Sequence, residues 1–420
     1  MHYDAPHYDT LETRSAAERE AALMAALPAQ IAHAKDNAPG FGRILKHIDP
    51  ALVTSRAALA TLPVTRKSDL VELQKLEPPL GGLNATPIDK LAKLYVSPGP
   101  IYEPEGTLRD WWRSARGLYA AGFRAGDLVI NTFAYHFTPA GSMIESGAIA
   151  LGCTVVPTGT GQTELQVAAI AGLAVNGYIG TPSFLKLIVE KADELKTDVS
   201  CLKKAIVGAE YLPPALRKAM QARGISVLQC YATADLGLIA YESSGPDGNV
   251  NEGMVLEDGL VLEIVRPGTG DPVASGEVGE VVITTFNKDY PLVRFGTGDL
   301  SAVLEGPSPC GRTNMRLKGW MGRADQSTKV RAMFVTARQV ADIVRRHPEV
   351  AKAQLVIEGE VGSDRMTLKC ETIEPGTEAL RAALVGSIRD ITKLRGEVEF
   401  AAAGSLPNDG KVIEDLRKYG

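Results

Sequence analysis

Residues 227–241 have the sequence V-L-Q-C-Y-A-T-A-D-L-G-L-I-A-Y, and the rest of the chain is organised around this stretch. Val227 and Leu228 indicate the end of a short buried strand, and apolar character resumes at Leu236. Between them lies a polar turn with an aromatic ring, a hydroxyl and one carboxylate, which is typical of the ligand-binding edge of an α/β sheet. Asp235 is the only acid in the stretch, so it is a candidate metal ligand. The alternative is that it caps the turn that follows.

The composition of the 420-residue chain, with 45% hydrophobic and 23% charged residues, is that of an ordinary globular protein. This length suffices for two or three domains. The net charge of −5 argues against a nucleic-acid partner. No apolar run approaches the roughly 18 residues of a membrane span, so no membrane partner is expected. The N-terminus lacks a signal pattern, and five scattered cysteines predict reduced thiols, so the expected location is cytoplasmic.

Strands and helices alternate through the middle of the chain, which indicates an α/β fold with a mostly parallel sheet. Apolar runs predict buried strands at residues 127–132, 153–157, 178–180 and 202–207. Further apolar segments with glycine-containing turns predict antiparallel strands of a smaller β-subdomain, at residues 255–265 and 279–285.

Helices are predicted nearer the N-terminus. Leu23 and Leu27 recur at helical spacing within residues 12–35, where Pro28 is expected to kink or split the helix. Another helix is predicted at residues 108–121.

The turn around Asp235 resembles the Tyr-Gly-x-Thr/Ser-Glu core of the adenylate-forming enzymes, in the form found in phenylacetate–CoA ligases. Four further blocks follow in the order of that family, and they are Gly208-Ala209-Glu210, residues 291–300 (P-L-V-R-F-G-T-G-D-L), residues 322–325 (G-R-A-D) and residues 406–411 (L-P-N-D-G-K).

The resemblance implies a two-part architecture. A large N-terminal α/β domain, with mostly parallel sheets and the β-subdomain, would comprise residues 1–321. A small mobile C-terminal α+β domain would comprise residues 322–420 and act as a lid. Asp325 lies where the small domain of such enzymes swivels.

The resemblance also implies roles for individual residues. Lys411 would reach the acid and the α-phosphate, Arg323 would face phosphate, and Asp235 would bind Mg²⁺ in place of the glutamate usual in the family. The nucleotide would be contacted by Ser97, Gly99, Gly208, Ala209, Glu210, Tyr231, Ala232, Thr233 and Asp299. Asp299 matches the acid that holds the ribose hydroxyls, because a carboxylate accepts two hydroxyl donors at once.

The largest departure from the family is the phosphate loop within residues 94–106. Ser97 and Gly99 are retained, but the loop has no lysine and its prolines lack N–H donors. Glu103 and Glu105 add negative charge that would repel a triphosphate. The alternative is that this segment is a rigid, proline-rich connector.

Three smaller departures affect single positions. Ala232 replaces the usual glycine, Ala234 the usual hydroxyl residue that faces the α-phosphate, and Gly296 a usual arginine.

An aromatic-rich loop follows the strand at residues 127–132. Its side chains Tyr135, His136 and Phe137 are the predicted wall of the acyl-substrate site, because aromatic rings stack on an aryl group. The alternative is that they only pack beneath the loop.

Taken with the resemblance, these residues predict an ATP-dependent carboxylic acid–CoA ligase. It would act on an aryl or arylacetic acid through an acyl-adenylate, with ATP, Mg²⁺ and CoA, and its partners would be these small molecules. A homodimer is compatible with this prediction. One alternative is an acyltransferase or partial-reaction enzyme that uses a preformed acyl-CoA or acyl-adenylate without ATP. Another is a degenerate, non-catalytic ligase.

Overall fold

The computed structural model describes residues 6–97, 100–245, 247–324, 326–330, 333–359 and 365–417. Gly99 and Asp325 lie outside these described residues. The helices, in chain order, are α1 (Ala16–Asn37), α2 (Pro39–Ile44), α3 (Arg56–Ala60), α4 (Leu70–Leu76), α5 (Ser114–Ala120), α6 (Ala140–Leu151), α7 (Thr163–Leu173), α8 (Pro182–Leu195), α9 (Pro214–Ala222), α10 (Ala337–Arg345) and α11 (Glu378–Thr392). Among the described helices, none combines the length and the apolar character that a bilayer crossing demands.

The strands form one large sheet, several small sheets and a separate hairpin. In chain order they are β1 (Thr65–Arg66), β2 (Lys93–Ser97), β3 (Ile101–Glu105), β4 (Leu128–Asn131), β5 (Thr154–Pro157), β6 (Gly177–Gly180), β7 (Lys204–Val207), β8 (Ser226–Thr233), β9 (Gly237–Tyr241), β10 (Met254–Leu256), β11 (Leu260–Val265), β12 (Gly279–Thr285), β13 (Phe295–Ser301), β14 (Val303–Leu304), β15 (Arg316–Leu317), β16 (Ser327–Val330), β17 (Met333–Thr336), β18 (Val350–Glu358), β19 (Arg365–Thr372), β20 (Glu397–Ala401) and β21 (Ile413–Asp415).

The largest sheet has the order β14-β15-β10-β9-β8-β7-β6-β4-β5. Its half from β5 to β8 is parallel, whereas β8, β9, β10, β15 and β14 pair antiparallel. The predicted α/β fold is confirmed, and the sheet is parallel over only half its width. Strand β8 is the point at which the direction of pairing changes, and it leads directly into the turn that holds Asp235.

The parallel strands are covered on both faces. Successive residues of a strand point to opposite faces, and accordingly Ile179 joins the core on one side of the sheet while Tyr178 joins the core on the other. Ile206 and Val207 divide in the same way. This burial on both faces is why these strands are continuous apolar runs in the sequence.

A second sheet, in the order β1-β13-β12-β11, contains most of the segments predicted for the β-subdomain. The start of the first segment differs from the prediction, because β10 pairs with β9 and β15 in the largest sheet. Arg294 anchors the second sheet just before β13, because its buried guanidinium donates to Glu263 from Nε and Nη2, at 2.9 Å each. A third bond, of 2.7 Å, reaches the carbonyl of Gly270. Removing one partner of such a buried pair typically costs about 3–5 kcal/mol. The anchor fixes the strand that carries Asp299.

The C-terminal part has its own core. A four-stranded sheet, β20-β19-β18-β21, packs with α10 and α11, and its buried apolar residues range from Val330 to Ile413. This part touches the β-subdomain through the Val278 N–H, which donates to Asn408 Oδ1 at 3.1 Å. The division of the chain at residue 322 stays a prediction.

Two predicted helices differ from the structure. Helix α1 is not split at Pro28, because the burial of Leu23 and Leu27 offsets the hydrogen bond that proline cannot make. A kink at Pro28 stays a prediction. The helix expected at residues 108–121 is only α5. Asp110 and Arg113 take left-handed φ values of 51° and 62°, and the Asp110 carboxylate instead accepts the N–H groups at the start of α5, at 2.7 and 3.1 Å.

Candidate active site

The turn between β8 and β9 is tight. Thr233 Oγ1 accepts the N–H of Leu236 at 3.2 Å, which closes the turn. Gly237 has φ +72°, and a Cβ there would lie 2.7 Å from the Trp112 carbonyl oxygen. Only glycine fits both conditions without strain. The turn therefore presents Asp235 at a fixed point on the sheet edge.

The Asp235 side chain is buried and ion-paired. Its Oδ2 accepts from Lys67 Nζ at 2.6 Å. Among the described residues Asp235 therefore makes an ion pair instead of capping the turn, which Thr233 closes. Its Oδ1 is buried without a hydrogen-bond partner among the described residues. A carboxylate oxygen is the ligand type that Mg²⁺ prefers, so this residue fits the predicted metal role. Sequence analysis missed Lys67, which lies 168 positions away.

The segment expected to be a phosphate loop is a β-hairpin, with β2 and β3 paired antiparallel from Lys93–Glu105 to Ser97–Ile101. Glu103 and Glu105 are both buried rather than directed toward solvent, and their repulsion of a triphosphate stays a prediction. Glu105 is buried and accepts from the hydroxyls of Tyr95 and Ser142, at 2.5 and 2.8 Å. Alternate residues of a strand share a face, so both glutamates are turned inward together.

Glu103 is fully buried in the same hairpin. Its Oε1 accepts the Ser97 hydroxyl, while its Oε2 has no hydrogen-bond partner among the described residues. Burial, and then the negative charge of Asp235, raise the pKa of the Glu103 carboxyl to about 7. The Ser97 hydroxyl, predicted to contact the nucleotide, is therefore engaged by a carboxyl that is partly protonated at neutral pH.

Both oxygens of the Asp299 carboxylate accept hydrogen bonds from the protein. Oδ2 accepts from the Tyr231 hydroxyl at 2.8 Å. Oδ1 accepts from Arg323 Nη1 at 2.9 Å and from the Trp320 indole N–H at 3.1 Å. Burial and the charge of Asp299 hold the pKa of Tyr231 well above its usual value, so this phenol remains a donor. Three residues predicted separately for the nucleotide site thus come together, and Trp320 joins them unpredicted.

Tyr231, Asp299 and Trp320 line a polar cleft of about 450 Å³, whereas Arg323 lines a different cavity together with Lys67. The walls of the polar cleft include Ala209, Glu210, Tyr231, Ala232 and Asp299. The backbone at Ala209 has φ 64°, and Gln229 Nε2 donates to the Glu210 carbonyl at 2.9 Å. The segment after β7 is thereby held as a fixed wall.

A second cavity, of about 350 Å³, adjoins the polar cleft. It shares lining residues with that cleft, namely Ala209, Cys230 and Ala232. Its other lining residues are mainly apolar, and they include Phe133, Met143 and Ile144, with Gly208, Thr233, Ser97 and Lys67.

The residues predicted to form the acyl wall follow Phe133 closely in the sequence, but they do not line this second cavity. Among the described residues, Phe133 supplies the aromatic side chain of the cavity. The Tyr135 hydroxyl accepts from Asn131 Nδ2 at 2.8 Å, His136 is exposed, and the side chain of Phe137 is 73% exposed. A substrate contact by these three residues stays a prediction.

Lys411 lies in the C-terminal part. Its Nζ is 3.9 Å from Asp409 Oδ2, and its side chain is about half exposed. It lines a third cavity, with Arg266, Val278 and Val340, rather than the polar cleft or the apolar cavity. The structure therefore does not bring Lys411 together with Asp235. The predicted meeting of the two requires the C-terminal part to move.

Comparisons with known proteins agree with the motifs. Residues 107–287 match the family model described as AMP-binding enzyme. The chain is 31% identical to phenylacetate–coenzyme A ligase of Aromatoleum evansii, over 86% of this chain and 84% of that protein. It is 30% identical to the enzyme of the same name from Thermus thermophilus, over 92% of this chain and 94% of that protein.

The fold is similar to that of 2-hydroxyisobutyryl-CoA ligase, solved in an open conformation with 2-HIB-AMP and CoA. The TM-score is 0.72 with 24% identity, and the match covers 96% of this chain and 92% of the other. The predicted resemblance is confirmed, and the chain belongs to the phenylacetate–coenzyme A ligase family of adenylate-forming enzymes.

Proposed function

We propose that the protein is an ATP-dependent carboxylic acid–CoA ligase, acting on an aryl or arylacetic acid through an acyl-adenylate. The observation that carries this proposal is the adjacency of the two cavities at the end of β8. One is polar and contains Asp299, and the other is apolar and contains Phe133. An acyl-adenylate has the same two halves, a polar nucleotide and, for such an acid, an apolar acyl group.

In the first half-reaction the substrate carboxylate attacks the α-phosphorus of ATP and pyrophosphate leaves. Asp299 accepts the ribose hydroxyls, and the walls at Ala209 and Glu210 orient the base. Asp235 would hold Mg²⁺, which would supply neutralisation of phosphate charge. Lys411, once delivered to the cleft, donates to the charge that develops between carboxylate and phosphate.

In the second half-reaction the thiol sulfur of CoA attacks the acyl carbon and AMP leaves. The acyl group stays in the apolar cavity during both steps. Its apolar walls favour a ring without charged substituents, because burying an unpaired charge there is costly. Lys67 is the charged side chain among the described lining residues, so the acid group is expected at the Lys67 end.

The proposal is tested with purified protein, ATP, Mg²⁺, CoA and a panel of aryl and arylacetic acids. Pyrophosphate release above background is expected with at least one acid. Lys411→Ala should lower it by two orders of magnitude or more, since one preorganised charge donor is commonly worth about 10²–10³ in rate. Lys186→Ala is the matched control, because its side chain is as exposed, at 57% against 55%. Equal activity of both variants would refute the role of Lys411.

A second candidate is the enzyme that uses a preformed acyl-CoA or acyl-adenylate. The observation that favours it is the β2–β3 hairpin, in which the buried Glu103 carboxyl lies near Asp235. We call this side of the site, with Glu103 and Asp235, the phosphate end. Its negative charge raises the free-energy cost of binding the β- and γ-phosphates of ATP. Calorimetry separates the candidates, because this enzyme binds AMP and CoA without binding ATP. A degenerate, non-catalytic protein would bind ligands and catalyse neither half-reaction.

The cytosol as location and a homodimer as assembly remain proposals. Light scattering on the purified protein tests the second of them.

A further inference from the structure

The acceptor capacity of Asp299 is almost filled by the protein itself. A carboxylate offers about four acceptor positions, two on each oxygen. Oδ1 accepts from Arg323 and Trp320, and Oδ2 accepts from Tyr231. One position is left. A ribose presents two vicinal hydroxyls, so binding both of them to Asp299 requires one protein donor to leave.

The three donors are not equally easy to displace. Arg323 makes a charge-assisted ion pair of 2.9 Å, which is stronger than a neutral hydrogen bond. Tyr231 belongs to β8, and without Asp299 its buried hydroxyl would keep only the longer contact of 3.3 Å with Thr297 Oγ1. The Trp320 donor is neutral, its bond is the longest at 3.1 Å, and the side chain is 54% exposed. Of the three donors, the Trp320 indole can therefore rotate toward the solvent at the lowest free-energy cost.

We propose that Trp320 is a nucleotide-sensing residue of the polar cleft, whose indole N–H occupies a ribose-hydroxyl position on Asp299 and is displaced when a ribonucleotide binds. This inference rests on the proposed nucleotide role of the cleft. It also makes Trp320 a specificity residue. A ribonucleotide brings two donors and moves the ring, whereas a 2′-deoxynucleotide brings one donor, takes the remaining position and leaves the ring in place.

Tryptophan fluorescence reads this displacement directly. The chain has three tryptophans. Trp111 and Trp112 are 7% and 1% exposed and line neither the polar cleft nor the apolar cavity. Loss of the emission change in Trp320→Phe assigns the signal to Trp320. The probes are AMP and 2′-deoxy-AMP, each titrated by calorimetry and by fluorescence on the full chain. We expect both to bind and only AMP to change the emission.

Trp320→Phe keeps a ring in place and removes the N–H. In this variant AMP no longer has to displace a donor, so its affinity should rise by about three- to tenfold, the range of one neutral hydrogen bond. The affinity for 2′-deoxy-AMP should stay unchanged, and the emission response should disappear.

The outcomes are distinct. If AMP binds in calorimetry but leaves the wild-type emission unchanged, or if 2′-deoxy-AMP changes it equally, the role of Trp320 is wrong while the nucleotide site stands. An unchanged or weaker AMP affinity in Trp320→Phe also overturns it. If AMP gives no binding heat at all, the proposed nucleotide site fails and this inference fails with it. The wild-type titrations still test the inference if the variant does not fold.

Discussion

The carboxylates at the two ends of the candidate active site differ in how fully their oxygens are hydrogen-bonded. At the ribose end, Asp299 has three donors and both oxygens are satisfied. At the phosphate end, Asp235 and Glu103 each keep a buried oxygen without a partner among the described residues, and Lys67 is the cation beside them. The difference indicates that protein donors already satisfy the carboxylate at the ribose end, so a ligand must displace one of them, whereas the phosphate end holds excess negative charge that a cation or a proton must offset.

The largest effect is expected from Lys67→Met. It leaves Asp235 buried and uncompensated, and the free energy of unfolding should fall by about 3 kcal/mol, at the low end for buried pairs because Lys67 is partly exposed. Urea denaturation measures it. Lys75→Met removes the exposed pair with Glu72 and should cost less than about 1 kcal/mol. Adding Asp235→Asn to Lys67→Met should recover part of the loss, and no recovery would mean that Lys67 acts through packing.

Asp299→Asn addresses the ribose end. The amide nitrogen cannot accept, and the charge that holds Arg323 is lost, so AMP affinity should fall by about 10- to 100-fold. Calorimetry measures it. Asp198→Asn, which changes an exposed aspartate that caps a surface turn, is the control. Wild-type affinity in Asp299→Asn would place the ribose elsewhere.

The smallest effect is expected from Glu103→Gln, and it depends on pH. The pKa of Glu103 is raised from 4.5 to about 7 in the folded protein. The folded state therefore holds this proton more tightly, and the wild type loses stability as pH rises from about 4.5 through 7. A glutamine side chain does not ionise, so the variant has no such loss of stability with rising pH. A rise in pKa from 4.5 to about 7 corresponds to about 3 kcal/mol at pH 8. An amide accepts the Ser97 hydroxyl less strongly than a carboxylate, which offsets part of this gain. Glu103→Gln should therefore be more stable than the wild type by about 1–2 kcal/mol at pH 8 and nearly equal to it near pH 4.5.

Urea midpoints at the two pH values check this prediction. The titratable groups that face Glu103 are Asp235, Lys67 and Tyr290. Glu105→Gln in the same hairpin is the matched control. Its carboxylate is satisfied by Tyr95 and Ser142, so the substitution should destabilise at both pH values. A destabilised Glu103→Gln at pH 8 would contradict the raised pKa.

The apolar strands of the large sheet could be predicted from sequence because each is a local pattern. The strand expected at 127–132 is Leu128–Asn131, and the one at 202–207 is Lys204–Val207. The length of the helix predicted at residues 108–121 is too great, because a periodic apolar pattern does not reveal the left-handed backbone of two residues within it.

The candidate site was predicted only in part, and for a physical reason. Motifs named Tyr231 and Asp299, which the structure joins by a hydrogen bond. Lys67 and Asp235 are 168 positions apart in the sequence, and no local sequence pattern predicts their contact. The inward direction of Glu103 depends on the register of a hairpin, where a shift of one residue reverses the face of every side chain.

Gln326 ties the loop of Lys411 to the chain that enters the C-terminal part. Its Oε1 accepts the N–H groups of Val412 and Ile413, at 2.7 and 2.9 Å, and its Nε2 donates to the Gly410 carbonyl at 2.8 Å. Both ends of these bonds lie beyond residues 322–325. A rotation about that segment would carry Lys411 with its loop already ordered. Among the described hydrogen bonds that it would strain or break are those from Gln326 Nε2 to the Arg323 carbonyl and from the Val278 N–H to Asn408, and it would leave the bonds within the loop intact.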